Sequence, residues 1–330
     1  MEFTEVDNIM VSGLNTSIGS YIGSLARRSL THDRQSYYFK ACGMSGILDM
    51  SDKSAGSQIH GIQDHVQEIR QALHTYDIKL SEYPELTKYD EITKAQTIRK
   101  QVKYFKKCLS KIQNLKTKDK PIIIEDSYEH VLKVHLFHSY LFNTQKANTI
   151  SEQDYVIKIW SPLIEIMFRS LNEFPPIICH WGDTSSEVVK EDGKIIHMDL
   201  RLIACEADEE TDAAVVEFAP MVYKSKHYKD KLRTVLASKV QLNELLKNYA
   251  GLDEDKAKII AIPFMLIVGL VCDIYTIILV ASGLYIVDVA YSMTFPCLAQ
   301  EIKDDGLTYL VNGLKLLKNL CLKIIKFKTV

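Results

Sequence analysis

Between Ile259 and Val287 the sequence carries a single charge, Asp273. A stretch this apolar either crosses a bilayer or lies inside a folded core. Asp273 divides it into two uncharged runs of 14 residues. Each is shorter than the roughly 18–20 residues a helix needs to span the hydrocarbon. Both runs are rich in β-branched and aromatic residues, as in Ile274, Tyr275, Thr276, Ile277 and Ile278, and Ser282-Gly283 stands where a hairpin would turn. The stretch therefore reads as buried strands, with a membrane-associated protein as the weaker alternative.

A chain of 330 residues, 47% hydrophobic and 25% charged, has the composition of a folded globular protein with a sizeable core. Forty Lys plus Arg against 42 Asp plus Glu leave a net charge of −2, so any nucleic-acid or membrane contact must use a local patch. The seven cysteines form no CxxC pair and read as reduced thiols, with no disulfide-linked partner expected. The N-terminus MEFTEVDNIM lacks a compact apolar region, and the expectation is an intracellular chain, nuclear or cytoplasmic.

Two regions are expected. Residues 1–150 read as mainly helical, with loops at Met44 to Ser57 and around Tyr83-Pro84. Within them Ile92 to Leu115 has an apolar stripe of helical spacing flanked by Arg99, Lys100, Lys103, Lys106 and Lys107. That basic face would track phosphates, or it is simply a solvated helix. Residues 151–330 change pattern. Ser151 and Asp154 resemble a capping box opening a helix, which Pro162 kinks or restarts. Two strands follow, Ile195 to Ile203 and Ala213 to Ala219, joined by an acidic loop, CEADEETD. A helix from about Lys229 to Asn248, the apolar strands and an amphipathic helix from about Gly306 complete the chain. This order means an α/β fold, or α+β, with a mixed sheet flanked by helices.

Alternation in IIHMDLRLI places His197, Asp199 and Arg201 on one face, and AAVVEFA carries Glu217 on an otherwise small, apolar face. If the strands form a hairpin, Asp199 and Glu217 project together. Two such carboxylates suit Mg²⁺, a hard ion that takes oxygen ligands and keeps several waters. Or they form ordinary salt bridges with residues such as Arg201. In the following helix Lys239 falls on the inner stripe, as a cation for an anionic transition state or as a snorkelling or paired lysine. Glu152, at the start of the earlier helix, approaches the same site or serves as a helix-dipole partner. The glycines of SGLNTSIGSYIG fit no nucleotide-loop spacing, and Cys179-His180 and the histidines at 130, 135 and 138 read as structural.

A helix, a strand bearing Asp, a strand bearing Glu and a further helix, in this order over residues 151–330, resemble the PD-(D/E)XK, or restriction-endonuclease-like, nuclease superfamily. SEQDYVIKIWSPLIE, HWGDTSSE, MDLRLI, VVEFA, DKLRTVLASKVQLNELL and IPFMLIVGL, with ACGMSGILDMSD in the first half, look similar to a protein family of early-diverging fungi that brings no established activity. The superfamily resemblance implies Asp199 and Glu217 as ligands of Mg²⁺ or Mn²⁺ and DNA or RNA as substrate. Its motif puts a lysine two residues after the Glu, where this chain has Ala219. Some superfamily members carry that lysine on the next helix, which would make it Lys239. Others have lost catalysis and kept the fold for binding.

Overall fold

The computed structural model describes residues 10, 16–27, 33–72, 99, 100, 103, 123–143, 145, 149–169, 177–185, 196–206, 209–220, 224–248 and 254–328. Its centre is a seven-stranded mixed sheet, so the fold is α/β. The strands are β1 (Ile47–Asp49), β2 (Ile177–Thr184), β3 (Met198–Glu206), β4 (Glu209–Ala219), β5 (Ala261–Val268), β6 (Val271–Ala281) and β7 (Leu284–Thr294), in spatial order β1-β7-β6-β5-β4-β3-β2. Neighbours run antiparallel except β4 with β5 and β1 with β7. Helices are α1 (Ile18–Arg27), α2 (Arg34–Met44), α3 (Val66–Ala72), α4 (Ile123–Phe137), α5 (Glu152–Tyr155), α6 (Ser161–Phe168), α7 (Lys224–Asn248), α8 (Glu254–Lys258), α9 (Ala299–Lys303) and α10 (Gly306–Lys328).

The apolar stretch is sheet. It forms β5, β6 and the start of β7, and the turn at Ser282-Gly283 is made possible by Gly283 at φ 72°. Among the described residues no helix is long and apolar enough to cross a membrane. Side chains leave each strand alternately, and the two faces build two cores. On one face Leu200, Val216, Phe218, Met265 and Ile274 meet α4, α6 and α10. On the other Val215, Phe264, Tyr275 and Ile277 meet α2 and α7. A third cluster closes the β1 end, where Ile18, Ile22 and Ile69 cover Ile278, Val280 and Ile286.

Three local expectations differ from what forms. The acidic segment CEADEETD is largely strand, because β3 runs to Glu206 and β4 begins at Glu209. Asp212 is held there by Arg201 at 2.7 Å, an almost fully buried ion pair that offsets the charge. The loop expected over Met44 to Ser57 contains β1, a three-residue strand paired with β7 and bonded along its backbone by the Gln58 side chain. The sheet therefore draws on residues from both sides of position 150. Finally, the helix from Ser151 widens into a π turn, Val156–Trp160, before α6. Pro162 lacks the N–H an α-helix would direct at the preceding turn, and the wider turn absorbs the loss. Its Trp160 is fully buried and donates its indole N–H to Gly269 O at 2.8 Å.

Candidate active site

The register of β3 and β4 brings the two predicted acids together. Leu200 pairs with Val216, so one step further Asp199 stands opposite Glu217 on the same face. Asp199 is fixed there by the β4 backbone, its Oδ2 accepting from Phe218 N at 2.8 Å. Glu217 is only 2% exposed, between Val215 and Ala219 on a strand paired on both edges. Its Oε2 accepts from Arg233 Nη1 at 3.2 Å, while Oε1 is buried without a hydrogen-bond partner. Burial, reinforced by the charge of Asp199, pushes this carboxyl up to about 9, against the opposing pull of Arg233. At neutral pH Glu217 is a protonated acid.

Helix α7 brings the rest. Lys226, Asp230 and Arg233 are spaced i, i+4 and i+7, so at about 100° per residue they share one face. Lys226 donates to Phe218 O at 3.0 Å and ion-pairs with Glu152, joining α5 to the group. Arg233 also donates to His197 O, so one guanidinium ties β3 and β4 to α7. Asp230 is buried with its Oδ2 4.0 Å from the Lys226 ammonium, too far for a hydrogen bond. Burial pushes its carboxyl up to about 6, although Lys226 and Arg233 pull the other way.

Of the residues singled out from sequence, Asp199, Glu217 and Glu152 therefore gather here. Lys239 does not serve the acids. It donates to Ser45 O at 2.7 Å and lies 4.5 Å from the centre of the Tyr285 ring. Glu217, Leu266, Asp273 and Ser292 form one row across β4, β5, β6 and β7, and Tyr285 is seven positions earlier on β7. That is a displacement of about 20 Å along the strands, in addition to three strands across. Lys239 faces the sheet, as its helical position requires, but at the other end. The Arg201 alternative is likewise settled, since this guanidinium takes Asp212 and Ser185 O. Arg99, Lys100 and Lys103 are helical and exposed. Lys106 and Lys107 lie outside the described residues.

Sequence reasoning missed Lys226 because the helix was begun at Lys229, five residues late, and passed over Asp230 and Arg233 because only the stripe that carries Lys239 was followed. A wheel extended back to Lys224 would have put these three on one face with the inward acid of β4 nearby. The group holds four carboxylates, Glu152, Asp199, Glu217 and Asp230, against two cations, Lys226 and Arg233. Burial first, and the neighbouring acids second, raise the carboxyls of Glu217 and Asp230. Among the described residues no three His, Cys, Asp or Glu side chains converge as a ready-made metal cage. The donor set still suits Mg²⁺ or Mn²⁺, which binds through one or two carboxylates and retains water. Asp199 and Glu217, with the orphaned buried Oε1, are the residues that would hold it. Comparison with known proteins finds no matching protein family, curated protein or solved structure.

Proposed function

We propose that this protein is a metal-dependent, nuclease-like hydrolase acting on phosphodiester bonds of DNA or RNA, with Asp199 and Glu217 as the ligands of Mg²⁺ or Mn²⁺. The observation that carries the reading is the buried, charge-unbalanced carboxyl pair facing two cations from α7. A bound divalent ion would supply neutralisation of phosphoryl charge and acidification of a water. The chain's own residues do the remainder. Asp199 is pre-oriented by Phe218 N and needs no rearrangement to act as a ligand. Glu217 gives up its proton to become one, which makes occupancy pH-dependent. Asp230, near pH 6, exchanges a proton close to neutrality, as a general acid or base must. Lys226 and Arg233 offer the positive charge that the superfamily motif would place at position 219, where Ala219 cannot. Isothermal titration of the full chain with Mn²⁺ tests the reading: saturable binding lost in Asp199→Ala and Glu217→Ala supports it, and no binding removes the metal.

One observation favours a second reading, a catalytically inactive nuclease-fold module that binds nucleic acid or protein. Lys226 is already paired with Glu152, and Arg233 donates to Glu217 and His197 O, so both cations are engaged within the protein. Binding of nucleic acid without cleavage at any metal concentration would select this reading.

A further inference from the structure

Next to the acid cluster on α7 lies a second buried ion pair that the hydrolytic reading does not use. Asp49, the last residue of β1, is fully buried and Lys231 is 2% exposed. Lys231 Nζ donates to Asp49 Oδ2 at 2.6 Å and to Ser51 Oγ at 2.7 Å. Tyr38 OH donates to the same Oδ2 at 2.7 Å, and Ser51 N and Oγ donate to Oδ1 at 2.9 and 2.5 Å. The ammonium also lies 5.3 and 5.0 Å from the Tyr38 and Tyr275 ring centres. One turn earlier Tyr228 OH donates to Asp52 Oδ2 at 2.6 Å. An ion pair this deep and this completely hydrogen-bonded is a directional joint, whereas an apolar contact would let a helix roll.

The joint lies beside the acids in sequence. Asp230 and Lys231 are consecutive, so their side chains leave α7 about 100° apart. Tyr228 and Lys231 are held by the N-terminal segment 38–52, while Lys226 and Arg233 are held by α5, β3 and β4, and Asp230 lies between these two cations. From this geometry we infer that Asp49 is a positioning residue: through Lys231 it fixes the rotation of α7, and so holds Asp230 and Arg233 against Glu217. The inference rests on the proposed role of that acid cluster. It gives the segment 38–52 a task at the neighbouring acid cluster.

The test compares wild type, Asp49→Asn, and the double variant Asp49→Leu with Lys231→Met, all as full chains. Replacing both partners by apolar residues removes the buried charges but leaves Tyr38 OH and the Ser51 N–H and hydroxyl without their shared acceptor, so the unfolding stability of each variant is measured as well. Two signals are read: hindered rotation of the Arg233 guanidinium in ¹⁵N NMR, assigned with Arg233→Lys, and Mn²⁺ affinity. Positioning predicts that both folded variants lose the hindered Arg233 signal and bind Mn²⁺ about 10-fold more weakly. An Arg233 signal unchanged in the folded double variant overturns the inference. Should that variant not fold, Asp49→Asn, which keeps the size of the side chain, decides in the same way. If wild type binds no Mn²⁺, the metal reading fails while the Arg233 signal still decides the positioning claim.

Discussion

Arg233 and Glu217 meet through one oxygen only: Nη1 lies 3.2 Å from Oε2, and the other carboxyl oxygen is buried with no hydrogen-bond partner. A single, partly exposed guanidinium cannot compensate an acid that is almost completely buried beside Asp199 and near Asp230. This half-compensated contact makes the site a sensor of added positive charge.

The first consequence concerns pH. Glu217 holds its proton up to about 9 in the folded protein but only to the ordinary carboxyl range when unfolded. Between those values the native state binds the extra proton, so stability falls as pH rises, by at most about 1.4 kcal/mol per unit. Glu217→Gln flattens this fall. Urea unfolding midpoints between pH 5 and pH 9 check it, and parallel slopes for wild type and variant would contradict it.

Removing the guanidinium pushes the same group further. In Arg233→Met the opposing charge is gone, so the titration of Glu217 moves upward from about 9. The carboxylic-acid infrared band that Glu217→Gln abolishes reports this. A downward movement of that band's titration would mean that the charge of Arg233 does not act on Glu217 as described.

Metal binding must release protons if Glu217 becomes a ligand near pH 7, because the acid begins protonated. Calorimetric titrations with Mn²⁺ in buffers of different ionisation enthalpy should show about one proton released per ion, and Glu217→Gln should abolish the release. Buffer-independent heats would count against Glu217 as a ligand.

Lys226 and Lys239 of α7 separate cleanly. Lys226→Met is expected to lower cleavage by about 100-fold, in the range for loss of one electrostatic contact to the reacting group. Lys239→Met leaves cleavage within about threefold and lowers stability by about 1 kcal/mol, the worth of its contacts to Ser45 O and the Tyr285 ring. A large catalytic loss in Lys239→Met would restore the assignment that its position excludes.

The packing of α10 on the sheet has its own test. A Cβ added at Gly313 would lie 2.4 Å from Met293 Sδ and 2.7 Å from the Tyr291 ring. Gly313→Ala is therefore expected to lower stability by about 1–3 kcal/mol through overpacking, visible as a lower thermal midpoint. An unchanged midpoint would mean that the helix does not approach β7 this closely.

What could be read from sequence was whatever depends on local periodicity. Alternation, with the two strands taken as a hairpin, put Asp199 and Glu217 on one face, and the composition around Asp273 with Ser282-Gly283 identified β6 and β7. What escaped depends on contacts distant in the chain. Three residues cannot announce β1, which is held by β7 beside it and by the side chains of Gln58 and Lys231. The segment from Cys205 to Asp212 reads as a loop because its acids repel, until Arg201 supplies the compensating charge. The first turn of α7 carries lysine and no acid, the wrong sign for a helix N-terminus, and Lys226 is instead engaged by Glu152 and Phe218 O. For Lys239 the helical wheel gave the face of α7 correctly but not the position along the sheet.

The most direct measurement is cleavage of labelled single- and double-stranded DNA and RNA in Mg²⁺ or Mn²⁺, by wild type, Asp199→Ala and Glu217→Ala. The account predicts metal-dependent cleavage by wild type that both substitutions reduce at least about 100-fold. Cleavage that survives both substitutions, or no cleavage of any of the four substrates by a wild type that binds Mn²⁺, would contradict it.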